Sequence, residues 1–245
     1  GFDKLRAAGI TVESGLMEAQ ARQLNRGFLS RVERGRPWVR IKLGTSLDGR
    51  TAMANGESKW ITGAASRQDV QQWRARSGAL LTGANTVLLD DPSLTVRLGD
   101  DTPFVPPLRV VLDAGLATVA RGKVRDASAP TLYLHAPDAK PPRELEVQRA
   151  VAPVNAGRFD LGAVLTLLAE REINEVQVEA GATLAGAFLA AGLADEVLLY
   201  VAPVLLGENA RPLFAGLGIG TLTQKLQLEL VEARAIGEDQ GLLLR

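Results

Sequence analysis

Polar side chains follow an apolar run that has the length of a buried strand, residues 175–180. Glu179 lies near its end, and a glycine turn, Gly181 to Gly186, leads into a helical pattern. Free N–H groups at a helix start bind phosphate, and glycine lets a ligand approach the backbone. A carboxylate at the end of an apolar strand needs a cationic or hydroxyl partner. The segment therefore indicates either an anion site beside an acid or a tight turn with a structural ion pair.

A second polar group follows the apolar run 78–83. Gly83 and Thr86 lie at the start of another predicted helix, where a hydroxyl can cap the helix or bind an anion. Asp90 and Asp91 end that helix, and paired acids there oppose the helix dipole. The pair therefore indicates a role outside the helix, with a solvated turn as the alternative.

Two arginines could supply positive charge to the same region. Arg97 follows the acid pair by a short loop, and Arg74 lies on the predicted helix 64–76 beside Val70 and Trp73, which should face the core. A guanidinium is well suited to bind phosphate through two hydrogen bonds. Arg74 is thus either a phosphate ligand or an ordinary surface residue.

The residue counts exclude several kinds of chemistry. There is no cysteine and one histidine, His135, so thiolate and multi-histidine zinc sites are excluded. We interpret His135 as structural or surface, and Trp38, Trp60 and Trp73 as typical core residues. The 28 basic and 28 acidic side chains cancel, so no global field favours nucleic acid or an acidic membrane. Chemistry must come from a cofactor, carboxylates or arginines.

The sequence shows neither a signal-peptide pattern nor a membrane-spanning pattern. The first residues, "GFDKLRAAGI", lack the apolar core of a signal peptide. The most apolar run, 197–206, is too short to span a bilayer. We therefore expect a cytoplasmic protein.

Short apolar runs alternate with helical patterns along most of the chain. Strands are predicted at 38–43, 78–83, 108–113, 131–136, 175–180 and 195–203, and helices at 64–76, 84–89, 160–171 and 183–192. This alternation predicts an α/β fold with a mainly parallel central sheet flanked by helices. Residues 226–245 form two runs around a Gly/Asp-rich turn, which predicts a C-terminal antiparallel hairpin. Ligands of such a sheet bind at the carboxyl ends of its strands.

The stretch "SLDGRTAMANGESKWITG", residues 46–63, connects the first predicted strand to the helix 64–76. Asp48-Gly49 is a strong turn signal, and Thr62-Gly63 can open the helix. Taken alone, the stretch indicates a plain connection.

Four segments together identify a family resemblance. They are "VRIKLGTSLDGRTAMANGESKWITG", "DVQQWRARSGALLTGANTVLLDDPSLTVR", "LRVVLD" and "VQVEAGATLAGAFLAAGLADEVLLYVAPVLLG". They closely resemble the reductase domain of the bifunctional riboflavin-biosynthesis deaminase/reductase. The resemblance covers residues 36–245, whereas residues 1–35, with helical spacing over 16–35, resemble the tail of a deaminase domain and its linker.

The resemblance implies a dihydrofolate-reductase-like fold and a specific reaction. This reaction is the NADPH-dependent reduction of the ribosyl group of 5-amino-6-(5-phosphoribosylamino)uracil to the ribitylamino phosphate, through a Schiff-base form. The zinc motifs of the deaminase cannot be present, because the chain has no cysteine. We expect a fragment of a longer deaminase-reductase, with a separate deaminase partner as the alternative.

The resemblance also implies roles for individual residues. The substrate side would comprise Ser58, Arg74, Leu94, Arg97 and Glu179. The cofactor side would comprise Gly44, Thr51, Trp60, Thr86, Asp90, Ala114 and the loop Gly181, Ala182, Thr183, Leu184, Ala185, Gly186 and Ala187. Asp90 and Glu179 are the candidate catalytic residues, Asp91 is an alternative proton-transfer group, and no metal is expected. With these roles, the stretch 46–63 becomes a wall between two ligands.

Two other functions stay open at this point. One is a pterin- or folate-type reductase of the same fold, although folate carries no sugar phosphate for the arginines. The other is a non-enzymatic nucleotide-binding module. The terminal hairpin and the run 197–206 could form an exposed sheet edge, and we expect a homodimer.

Overall fold

The computed structural model describes residues 1–99, 102–140 and 147–245. The helices are α1 (Phe2–Ala7), α2 (Glu18–Leu24), α3 (Arg26–Arg34), α4 (Ala64–Arg76), α5 (Ala84–Asp90), α6 (Leu161–Glu170) and α7 (Ala182–Ala190). The strands are β1 (Trp38–Ser46), β2 (Arg50–Ala52), β3 (Ala79–Gly83), β4 (Leu108–Leu112), β5 (Thr131–His135), β6 (Gln148–Val151), β7 (Val154–Asn155), β8 (Arg158–Phe159), β9 (Glu175–Val178), β10 (Glu196–Ala202), β11 (Arg211–Pro212), β12 (Leu230–Ile236) and β13 (Asp239–Leu244).

One large sheet organises the described chain, with the strand order β12-β13-β10-β1-β9-β3-β4-β5-β6. Every pairing from β10 to β6 is parallel. β13 pairs antiparallel with β10, and β12 pairs antiparallel with β13 at the edge. The predicted α/β fold, its mainly parallel sheet and its C-terminal hairpin are confirmed.

The two faces of β1 differ in chemistry. Val39 and Ile41 are fully buried in the main core with Val164, Leu165 of α6 and Phe188 of α7. The alternate positions, which include a completely buried arginine, face the side of the sheet that α4 covers. The covered polar face is the one that carries the candidate site.

α4 is attached to this face at several points along its length. The Asp239 carboxylate of β13 accepts hydrogen bonds from Gly63 N at 2.7 Å and Ser66 Oγ at 2.6 Å, so it caps the helix start from another strand. Asp69 accepts a hydrogen bond from the Tyr200 hydroxyl of β10 at 2.6 Å. Burial of the phenol and the adjacent carboxylate raise the pKa of Tyr200, so it stays a neutral donor. α4 therefore has a fixed orientation over the sheet.

The sequence-based prediction differs from the structure in its first 35 residues. The helical spacing over 16–35 is divided between α2 and α3, which meet at Asn25. Asn25 leaves helical geometry (φ −100°, ψ 16°) while its side-chain amide donates to Ala21 O at 2.9 Å. Asparagine commonly interrupts helices in this way, because its amide competes for backbone partners.

Strand β6 and the short ribbons β2–β11 and β7–β8 were also missing from the prediction. Each has only two to four residues, too few to show an alternating pattern. No helix within 1–99, 102–140 or 147–245 combines the length and apolar character needed to cross a membrane.

Candidate active site

An arginine–glutamate pair joins α4 to the end of β9. Arg74 Nε and Nη2 donate to the two carboxylate oxygens of Glu179, both at 2.7 Å. The side chains are only 11% and 12% exposed, so Arg74 is not the surface residue considered as an alternative. Arg74 Nη1 also donates to Thr95 O at 2.8 Å. The pair therefore links helix, sheet and the loop 91–97.

Lys42 of β1 stands beside this pair. Since Ile41 pairs with Val178, Lys42 and Glu179 are neighbours across the two central strands. Burial opposes ionisation of Glu179, but the charge and hydrogen bonds of Arg74, with smaller contributions from Lys42 and Gln177, lower its pKa to about 2. Burial lowers the pKa of Lys42, and Glu179 offsets this only in part. The site thus holds a carboxylate that is ionised at neutral pH beside a desolvated amine.

The loop 91–97 carries the second predicted arginine. Leu94 has φ 46° and is 2% exposed, so its backbone rather than its side chain can meet a ligand. Arg97 N donates to Gln71 Oε1 of α4 at 3.0 Å, while the Arg97 side chain is exposed. The exposed position of the Arg97 side chain allows its guanidinium to meet an anion.

The two consecutive acids have different surroundings. Asp90 accepts a hydrogen bond from Ser58 Oγ at 3.3 Å, and Lys59 Nζ donates to Asp90 O at 3.0 Å. Asp91 instead accepts from Lys123 N at 2.8 Å. That hydrogen bond and the Lys123 ammonium lower the pKa of Asp91. Asp90 therefore faces the stretch 46–63, whereas Asp91 is engaged in holding a neighbouring loop.

The stretch 46–63 contacts Asp90 through Ser58 and carries the ring of Trp60. Trp60 is 72% exposed, so the interpretation as a core residue is wrong for it. The Arg67 guanidinium carbon stacks 4.5 Å from the centroid of its ring. Gly44 packs against the end of this stretch, since a Cβ on it would lie 3.2 Å from Thr62 Cγ2. Thr51 lies farther along on β2, and its hydroxyl donates to Pro212 O at 3.2 Å.

The predicted loop Gly181 to Ala187 is instead helical from Ala182 onward, because α7 begins there. Gly181 is an exposed N-cap with no side-chain hydrogen bond, and Thr183 beside it is also exposed. Ala185 and Gly186 are buried, and a Cβ on Gly186 would lie 2.0 Å from Ala215 O. Gly186 therefore allows close packing of protein on protein, and the part able to face a ligand is the helix start.

The remaining predicted residues follow the neighbouring strands. Thr86 is half-buried in α5, directly after β3. Helix α7 lies close to this point, as shown by Leu184 Cδ2, which is 3.5 Å from a Cβ built on Gly83. Ala114 follows β4 and accepts a hydrogen bond from Ala136 N. His135 is 6% exposed, with Nδ1 2.8 Å from Ala136 O. The described residues include no cluster of His, Asp and Glu suited to a metal ion.

Three residues at this site were absent from the prediction: Lys42, Gln71 and Gln177. Gln177 Nε2 donates to Glu179 Oε1 at 2.9 Å, so it fixes the carboxylate from the strand itself. The missed signal is the alternation in β1, where charged Arg40 and Lys42 interrupt a buried apolar strand. Charged residues in a central strand need partners, and these partners mark the polar face.

The mainly parallel sheet, with charged and polar side chains grouped at the carboxyl ends of its strands, is the architecture of an α/β enzyme. The sequence agrees: a family model described as the RibD C-terminal domain matches residues 37–242. The chain therefore belongs to the RibD C-terminal domain family, the pyrimidine reductase family of riboflavin biosynthesis.

Known relatives match nearly the whole chain. It is 41% identical to the riboflavin biosynthesis protein RibD of Escherichia coli, over 98% of this chain and 68% of that protein. The solved structure of Acinetobacter baumannii RibD is 40% identical with a TM-score of 0.86, over 98% of this chain and 66% of that one. A Thermotoga maritima structure, titled a diaminohydroxyphosphoribosylaminopyrimidine deaminase/5-amino-6-(5-phosphoribosylamino)uracil reductase, is 29% identical with a TM-score of 0.85, over 100% and 66%. The chain thus spans about two thirds of the length of these relatives.

Proposed function

We propose that the chain reduces the ribosyl group of 5-amino-6-(5-phosphoribosylamino)uracil to the ribitylamino phosphate, with NADPH as the reductant. The observation that carries the proposal is the Arg74–Glu179 pair at the carboxyl end of β9, flanked by Lys42 and by the exposed Arg97. Neither a pterin- or folate-type reductase nor a non-enzymatic module has comparable support.

The charges of the cleft suit a phosphorylated sugar. Arg97 offers an exposed guanidinium, which binds phosphate oxygens with two parallel hydrogen bonds. Glu179 is ionised and can accept a hydrogen bond from a hydroxyl or amino group of the substrate. Lys42 is a hydrogen-bond donor beside Glu179, and burial lowers its pKa from the ordinary lysine value. Ser58, whose hydroxyl donates to Asp90, would close the substrate side of the wall.

The other side of the wall fits a dinucleotide. The exposed start of α7 at Gly181 presents backbone N–H groups that suit a phosphate. Trp60 offers an exposed ring, and Gly44, Thr51, Thr86, Asp90 and Ala114 complete the proposed cofactor side. When bound, NADPH supplies the hydride, while the chain binds, orients and polarises the substrate. Ala182, Thr183 and Leu184 would contact the cofactor directly, whereas Ala185, Gly186 and Ala187 would support that turn.

The direct test is loss of NADPH absorbance on addition of the ribosylaminopyrimidine phosphate. We expect turnover by the wild-type chain, and the Arg97→Ala variant should raise KM for the substrate at least tenfold while KM for NADPH stays within about twofold. Arg158→Ala, an exposed arginine on β8, is the matched control and should change neither constant. Absence of turnover by folded protein at millimolar substrate would refute the function.

We also propose a homodimer, a cytoplasmic location and an association with a deaminase domain. The sheet ends at β12, whose Leu230 and Val231 are 56% and 43% exposed, and an exposed apolar edge strand favours pairing with another chain. Sedimentation velocity at micromolar concentration should give twice the chain mass, and Val231→Lys should reduce it. A monomer at that concentration would count against the dimer. About a third of the length of the full-length relatives lies outside the part that this chain matches, and the Thermotoga maritima relative is described as a deaminase and reductase, which supports the association with a deaminase.

A further inference from the structure

A buried arginine, Arg109, contacts the loop 91–97 on the side opposite to Arg74 and Gln71. Arg109 lies on β4, is completely buried and belongs to none of the site residues named above. We propose that Arg109 is a positioning residue that sets the affinity for the phosphorylated substrate through this loop. The inference rests on the proposed function, because it assigns the substrate side of the cleft to this loop.

The Arg109 guanidinium connects the loop to a second segment, residues 122–131. Its Nη1 donates to Ser93 O at 3.2 Å and to Asp126 Oδ1 at 2.8 Å. Its Nε donates to Thr131 Oγ1 at 2.8 Å, and its Nη2 to Asp126 O at 2.6 Å. A planar fork with this many acceptors fixes the relative position of the two segments, which a point charge such as lysine cannot do.

A second connection joins the same two segments. Asp91 accepts from Lys123 N at 2.8 Å, and its carboxylate lies 3.4 Å from Lys123 Nζ. The approach depends on Gly122 (φ +93°), since a Cβ there would lie 3.1 Å from Val87 Cγ1 and 3.4 Å from Asp91 Oδ1. Asp91 is therefore assigned to holding the loop rather than to proton transfer.

The loop needs these connections because its backbone is strained. Asp91 (φ 43°) and Leu94 (φ 46°) both adopt the left-handed region, which is unfavourable for residues other than glycine. Such a conformation persists only where surrounding contacts over-determine it. On the cleft side the loop is held by Arg74 and Gln71, and on the far side by Arg109 and Lys123.

Loss of the far-side contacts should displace Arg97 relative to Glu179. A misplacement of about 1 Å can cost roughly a hundredfold in an active site. Within the described ranges, none of the proposed cofactor-side residues is a hydrogen-bond partner of Arg109, so KM for NADPH should change little.

The experiment compares Arg109→Lys with Arg36→Lys. Arg36 is a matched control, because it also binds a carboxylate, that of Asp195, and the carbonyls of Pro37 and Leu193, but it lies at the opposite end of the sheet. For Arg109→Lys we expect KM for the substrate to rise roughly tenfold to a hundredfold. KM for NADPH should stay within about twofold, and kcat should fall less than KM rises. Arg36→Lys should change neither KM.

Two further measurements keep the test decisive. Thr131→Val preserves shape while removing one acceptor of Arg109, and should raise the substrate KM in the same direction if Arg109→Lys does not fold. Calorimetric titration with ribose 5-phosphate measures binding without turnover, and its Kd should rise in parallel. The inference would be overturned if the substrate KM and the ribose 5-phosphate Kd of Arg109→Lys stay unchanged. It would also be overturned if KM rises equally for the substrate and for NADPH, or if Arg36→Lys raises the substrate KM as much as Arg109→Lys does. A different result would overturn the proposed function but leave the positioning role standing. In that case the wild-type chain would show no turnover, yet it would bind ribose 5-phosphate, and Arg109→Lys would weaken that binding.

Discussion

Two buried arginine–carboxylate groups lie at opposite ends of the same central strands. At the amino end, Arg40 of β1 contacts Glu196 and Glu175, both at 3.0 Å, and Arg245 contacts Glu196 at 2.8 Å. At the carboxyl end, Arg74 binds Glu179. The amino-end carboxylate Glu196 has 0% side-chain exposure and is shared between arginines, whereas Glu179 retains 12% exposure and lies beside Lys42. Burial of charge therefore does not distinguish the two ends, whereas access, a second titratable group and a nearby helix start favour the carboxyl end as the proposed site.

The largest expected effect separates the two ends by activity. Glu179→Gln keeps the shape of the side chain but removes the charge held by Arg74, so kcat/KM should fall about a hundredfold or more. Steady-state kinetics with both substrates would measure this loss. The matched variant at the amino end, Glu196→Gln, should retain kcat/KM within about twofold. Comparable kinetic losses in the two variants would break the comparison.

The next effect separates the ends by stability. Glu196→Gln leaves Arg40 buried with one carboxylate partner fewer, and breaking a buried pair in this way costs about 3 kcal/mol in the free energy of unfolding. Urea denaturation at pH 7 would measure it. A loss below about 1 kcal/mol would show that the Arg40 guanidinium is satisfied by Glu175 and by stacking 4.4 Å from the Trp73 centroid.

The pH dependence of stability should also depend on Glu179. Its pKa is about 2 in the folded chain against 4.5 in its ordinary state, so its contribution is present above pH 4.5 and is lost as the pH falls toward 2. The full contribution is about 3 kcal/mol, of which about 2 kcal/mol should disappear between pH 6 and pH 3. The difference in unfolding free energy between wild type and Glu179→Gln should shrink over this range. A constant difference would contradict the ionised pair.

Part of the difference between the two ends could be predicted from the sequence, and the part that could not depends on contacts between distant residues. The long apolar runs of β1, β3, β9 and β10 were recognisable, so the carboxyl ends, with Glu179 and Gly181, could be located. The sequence could not show which arginine would pair with Glu179, because Arg74 and Glu179 are 105 positions apart in the chain.

Other features depend on tertiary neighbours in the same way. The support of loop 91–97 by Arg109 joins segments without any local signal. The exposure of Trp60 and the burial of Gly186 likewise follow from what packs against them, which composition does not reveal.

The smallest expected effect distinguishes built structure from ligand surface within α7. Gly181 has φ −72° and open space around a built Cβ, so Gly181→Ala should change the unfolding free energy by no more than about 0.5 kcal/mol. If the helix start holds the NADPH phosphates, the same variant should still raise KM for NADPH, because the methyl group occupies the ligand side. Gly186→Ala is the converse control: its Cβ would lie 2.0 Å from Ala215 O, so overpacking should cost about 1–3 kcal/mol. Thermal unfolding and steady-state kinetics on both variants would measure the two effects. An unchanged KM for NADPH in Gly181→Ala would show that the cofactor does not bind at the start of α7. The carboxyl end of the sheet would then be distinguished from the amino end only by its substrate-binding residues.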